Sequence, residues 1–150
     1  VDPYVSKKDA AQIVRVARHR AGITWAQIAA QLEVDKEWST AALLGSHALS
    51  PAQATTVGEL LDLDAPVVEA LQMQPYRGPL DEDVNSDPTI YRFQEALQVY
   101  GPTIKELIHE EFGDGIMSAI NFRMRVERRE DPAGDRVVVT FDGKFLDYNW

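Results

Sequence analysis

At Gly113-Asp114-Gly115 the hydrophobic pattern of the chain changes period, and that change does most to limit its fold. Upstream, Ile90, Phe93, Leu97 and Tyr100 recur at the roughly 100° per residue of an α-helix. Downstream, Ile116, Ser118, Ile120, Phe122, Met124 and Val126 share one parity while Arg123, Arg125 and Glu127 take the other, the alternation of a half-buried strand. The two glycines tolerate the positive φ of a sharp reversal. The segment DPAGD (131–135) is a turn and RVVVTFDGKF (136–145) a returning strand, with Gly143 marking a further turn or bulge. A helix feeding a β-hairpin makes the chain α+β.

Ahead of that switch stand five short helices. Ser6 with Asp9 opens a helix through Ile13, Val14 and Ala17 that Gly22 ends, and Thr24 with Gln27 opens TWAQIAAQL. A third helix spans Lys36 to Leu44 and stops at Gly45. Ser50-Pro51 and Asp64-Ala65-Pro66 start a fourth and a fifth by the cap-then-proline rule. Residues 1–74 therefore read as a compact helical bundle in which TWAQIAAQLEVDKEWSTAALLG has a helix-turn-helix rhythm. Residues 75–87, with Pro75, Gly78, Pro79 and a cluster of acids, read as a linker. Residues 88–150 form the second domain, its helix capped by Asp87-Pro88, broken at Gly101-Pro102 and resumed from Thr103.

Charge and composition exclude several classes. With 15 Lys+Arg against 24 Asp+Glu the formal charge is −9, unsuited to a protein that grips nucleic acid by neutralising phosphates. The helix that would enter a groove, DKEWSTAALLG, sets Lys36 against Asp35 and Glu37 and holds no Arg. The absence of cysteine rules out disulfides, thiolate metal sites and Cys nucleophiles. His19, His47 and His109 lack metal-binding spacing. Asp81, Asp83 and Asn85 imitate a calcium loop whose sixth and twelfth positions, Ser86 and Arg92, do not fit. No metal is expected. No apolar run is long enough to cross a membrane and no secretory signal opens the sequence, so a soluble chain is expected, with residues before Val1 left open.

Two features carry chemistry. Arg92, Glu95, Ala96 and Val99 share a helix face away from the Ile90–Phe93–Leu97 stripe, a mixture of a charge pair and apolar groups that suits an interface better than solvent. Ser118 falls on the apolar parity of the first strand if its register runs unbroken from Ile116. It sits in no GxSxG elbow, so hydrogen bonding suits it better than an acyl-enzyme role. The stripe itself is expected to face its own core. The hairpin has more apolar face than its helices can cover, which points to pairing with another chain.

YRFQE with Arg92 and Glu95, VYG at 99–101, FGDGIMSAINF with Ser118, TAALLG at 40–45 and LDLD at 61–64 together resemble the cyanase family, bicarbonate-dependent cyanate lyases. The resemblance implies a repressor-like helical domain not used on DNA, and a C-terminal catalytic and dimerisation domain. It further implies a cytoplasmic decamer built as a pentamer of dimers with sites shared between subunits. The implied reaction joins cyanate and bicarbonate, giving carbon dioxide and carbamate, which decays to ammonia. Arg92, Glu95 and Ser118 are the implied catalytic residues; bicarbonate is a co-substrate and no cofactor is needed. Asp147 stands where a proline is expected, so the FLDYNW tail is given no role. The competing readings are a helix-turn-helix transcriptional regulator, which the acidic Lys36–Leu44 helix disfavours, and a non-catalytic scaffold, which has no need of Arg92 and Glu95.

Overall fold

The computed structural model describes residues 3–149; Val1, Asp2 and Trp150, the ends of the two expected domains, lie outside them. The chain divides into two compact units, Val1–Arg77 and Gly78–Trp150.

The first unit holds α1 (Lys7–Ala21), α2 (Trp25–Leu32), α3 (Lys36–Leu43), α4 (Pro51–Leu61) and α5 (Ala65–Leu71). Four of the five starts follow from a side-chain cap, and α5 instead carries Pro66 in its first turn. Ser6 Oγ accepts from Asp9 N and Asp35 from Trp38 N, while Thr24/Gln27 and Ser50/Gln53 form reciprocal capping boxes. Gly22 closes α1 in the left-handed region at φ 67°. The core of this unit is built from Val14, Ile28, Leu43, Val57 and Leu71, all at most 1% exposed. Lys7 Nζ donates to Ala70 O and Leu71 O at 3.4 and 3.2 Å, tying α1 to the end of α5, and burial lowers its pKa from the ordinary lysine value.

The second unit holds α6 (Glu82–Asn85), α7 (Pro88–Phe112), β1 (Gly115–Arg129) and β2 (Arg136–Asp147), the strands forming a two-stranded antiparallel sheet. Three expectations are corrected here. The acidic stretch read wholly as a linker contains one helical turn, α6, with Asp81 as its N-cap. The helix expected to break at Gly101-Pro102 is continuous over 25 residues. Proline's fixed φ is helical; Pro102 loses the bond to the Gln98 carbonyl and its ring crowds that carbonyl, and the turns on either side carry the helix past it. The stripe expected to face its own core is open instead: α7 has no buried residue, and Phe93, Leu97 and Tyr100 are 45%, 54% and 61% exposed.

The strand register also departs from expectation. Met117 pairs with Phe145 but Phe122 pairs with Gly143, so residues 118–121 stand opposite Lys144 alone. This wide bulge inverts the parity: Met117 shares a face with Phe122, Met124 and Val126, and Ile116 lies on the other. Ile120, expected on the apolar face, projects at the bulge and is 97% exposed.

Candidate functional site

Arg92 and Glu95 lie one turn apart near the start of α7, where Asp87 caps the helix by accepting from Thr89 N at 2.8 Å. Arg92 Nη1 meets Glu95 Oε1 at 3.1 Å, with side chains 65% and 46% exposed. The carboxylate engages one edge of the guanidinium and leaves other donors of the fork directed outward. Around the pair, Val99 is 69% exposed and Ala96 is exposed as well. A charge pair set among exposed apolar groups has the composition of a protein interface.

Ser118 sits in the bulge of β1 and is 6% exposed. Its Oγ accepts from Ile120 N at 3.1 Å and from Asn121 N at 2.9 Å. These bonds satisfy amides that the bulge removes from the ladder. Ser118 is hydrogen-bonded to neither Arg92 nor Glu95.

Helix geometry limits how near one chain can bring them. Arg92 lies 21 residues before Gly113, roughly 31 Å along α7 at about 1.5 Å per residue. The five residues from Gly113 to Ser118 can return at most roughly 17 Å. At least about 14 Å separates the two Cα atoms within a chain.

Beside the bulge, the end of α7 and strand β2 enclose a groove of about 430 Å³ lined by Ile108, Phe112, Met117, Phe141, Gly143 and Phe145, with Thr140 and Asp142 at its polar edge. Phe112 stacks on Phe145 at 5.0 Å and anchors the end of α7 to the hairpin. Arg92, Glu95 and Ser118 do not line the groove.

Several groups were given no role by the sequence. His109, expected to be ordinary, closes α7: its Nδ1 lies 3.1 Å from Gly113 O and its Nε2 2.9 Å from Lys105 Nζ. A carbonyl only accepts, so Nδ1 carries the hydrogen and Nε2 accepts from Lys105. The bulge amides of Ile120 and Asn121, and the fit of Gly143 against the Ser118 carbonyl and Met117, left no signal beyond the glycine in FDGKF. In the first unit, α3 pairs Lys36 with Glu37 and stacks Trp38 on His47 at 5.6 Å. Among the described residues no group of three or more His, Cys, Asp or Glu is placed to hold a metal ion, and no helix is long and apolar enough to cross a membrane.

Comparison with known proteins covers nearly the whole chain. Residues 7–75 match the family model for the cyanate hydratase N-terminal domain and residues 82–150 that for the cyanate lyase C-terminal domain. A cyanate hydratase of Thiobacillus denitrificans is 53% identical over 144 residues, covering 96% of this chain and 98% of the relative. One from Mycolicibacterium vanbaalenii is 53% identical over 146 residues, covering 97% and 95%. The crystal structure of cyanase from T. urticae superposes with a TM-score of 0.77 at 36% identity, covering 93% of this chain and 96% of that one.

Proposed function

The chain belongs to the cyanate lyase (cyanate hydratase) family, enzymes that decompose cyanate, and from that premise we propose that it joins cyanate to bicarbonate at a site built from Arg92, Glu95 and Ser118. A bicarbonate oxygen attacks the cyanate carbon while the cyanate nitrogen takes up one proton from solution and the bicarbonate's own hydrogen. Breaking the bond between the bridging oxygen and the bicarbonate carbon releases carbon dioxide and leaves carbamate. A second proton from solution, the third hydrogen on nitrogen, then lets carbamate part into carbon dioxide and ammonia. Charge and atoms balance with one proton consumed in each stage.

The difficulty is electrostatic. Two monoanions at about 4 Å repel by roughly 4 kcal/mol at an effective dielectric near 20, and a chain of formal charge −9 adds to that repulsion. Arg92 offers a fixed charge and a planar fork matched to a carboxylate-like pair of oxygens. Glu95, bonded to it, orients the fork and is the group placed to handle the nitrogen's proton. Ser118 donates to an anion oxygen. Most of the rate gain is holding two small reactants together in the right orientation.

The observation that carries this reading is the Arg92–Glu95 pair at 3.1 Å on an exposed, partly apolar face of a helix that the family's C-terminal model covers. Sites assembled from more than one subunit are supported by the open apolar surface among the second unit's described residues, where Val99, Tyr100, Val137 and Phe112 are 59% to 77% exposed. A decamer built as a pentamer of dimers in the cytoplasm, using no cofactor, completes the proposal. The test is ammonia release from cyanate with and without added bicarbonate. Full activity in bicarbonate-free, carbon-dioxide-purged buffer refutes the proposed nucleophile.

A further inference from the structure

The bulge fixes what the Ser118 hydroxyl can do. A serine oxygen has two lone pairs and one hydrogen. Here the amides of Ile120 and Asn121 engage the oxygen as acceptor, and among the described residues nothing takes the hydroxyl's own hydrogen. A hydroxyl so held can still donate and has lost its means to accept, which favours an anion over an amine.

The shape of the bulge depends on the opposite strand. A Cβ on Gly143 would overlap the Ser118 carbonyl oxygen and Met117 Cγ, and would lie 3.2 Å from Met117 Sδ. The backbone of Gly143 is not in the left-handed region, so close approach, not conformation, calls for glycine there.

Resting on the reading of Ser118 as an anion-holding group, we propose that Gly143 is a positioning residue for it. The missing side chain lets β2 close on the Ser118 carbonyl, and that closure holds the bulge in the form that makes the hydroxyl a donor only.

The test measures kcat/KM for ammonia release in Gly143→Ala, Ser118→Ala and the double variant, with assembly checked by sedimentation. Gly143→Ala is expected to lose roughly 100-fold, as displacements of about 1 Å at a reacting group do. Because it acts through Ser118, the double variant should be no worse than Ser118→Ala alone. Wild-type kinetics in Gly143→Ala, or losses that multiply in the double variant, overturn the proposal. So does recovery in Gly143→Ala/Met117→Ala, which relieves the side-chain overlap and leaves the carbonyl overlap in place.

If Gly143→Ala does not assemble, deuterium uptake decides the matter in Ser118→Ala, which removes only a hydroxyl. The peptide spanning 117–122 should exchange at least 10-fold faster at two amides than in the wild type. An inactive Ser118→Ala with unchanged exchange overturns the bulge argument alone. A fully active Ser118→Ala with faster exchange overturns the functional reading of Ser118, and this proposal with it.

Discussion

Arg92→Lys separates the chemistry of the site from the stability of the fold. The substitution keeps the positive charge and replaces a planar fork with a point ammonium. Arg92 and Glu95 are 65% and 46% exposed, so as an ion pair they stabilise the fold by no more than about 1 kcal/mol, and a lysine still offers Glu95 a charge. Unfolding should therefore hardly change. Catalysis should. Losing one charge-assisted hydrogen bond to an oxyanion costs about 1.5–3 kcal/mol, and each ~1.4 kcal/mol is tenfold in rate. The expected loss in kcat/KM is about 10- to 150-fold. Ammonia release at saturating bicarbonate measures it, with thermal unfolding and sedimentation velocity run on the same preparation. Near-wild-type turnover in a correctly assembled Arg92→Lys protein would show that the fork has no part in binding the anions. An activity loss matched by a lower melting temperature or a smaller particle would place Arg92 in assembly alone.

Three further outcomes follow from particular contacts. An inactive Arg92→Ala protein mixed with an inactive Ser118→Ala protein, dissociated and reassembled together, should regain activity in hybrid oligomers; no recovery in proven hybrids would place both residues of each site on one chain. Ser39 is fully buried in α3 with its hydroxyl unpartnered, so Ser39→Ala should stabilise the protein by about 1 kcal/mol, raising the melting temperature by about 2–4 °C at fixed protomer concentration. A lower melting temperature would mean that the hydroxyl is satisfied. Burial holds His47 below the ordinary histidine value of 6.5, with the charges of Arg77 and Lys7 adding to the effect and a backbone hydrogen bond at Ser46 opposing it. Between the lowered value and 6.5 the unfolded chain binds more protons than the folded one, so stability rises with pH across that window and falls on acidification. His47→Phe keeps the stack on Trp38 and removes the titration; urea midpoints from pH 5 to 8 should lose this part of their slope, and an unchanged slope would refute the assignment.

The sequence alone determined whatever depends on neighbours along the chain. Helices of the first unit begin at Ser6, Thr24 and Ser50 because a cap is a local competition between side chain and backbone for the first free amides, and α5 follows Asp64 with Pro66 in its first turn. The change of period at Gly113-Asp114-Gly115 marked the passage from helix to hairpin, and the spacing of Arg92 and Glu95 was enough to bring them together. Tertiary structure decided the rest. Gly101-Pro102 reads as a stop, yet the helix continues because proline costs one hydrogen bond that the flanking turns of α7 outweigh. The alternation from Ile116 to Val126 reads as one unbroken strand, yet pairing with β2 inserts a bulge that turns Ser118 inward and Ile120 out, a choice made by the partner strand. The apolar stripe of α7 reads as a face for the chain's own core. Periodicity can say that a face is apolar but not what covers it, because that depends on which surfaces meet once the chain has folded.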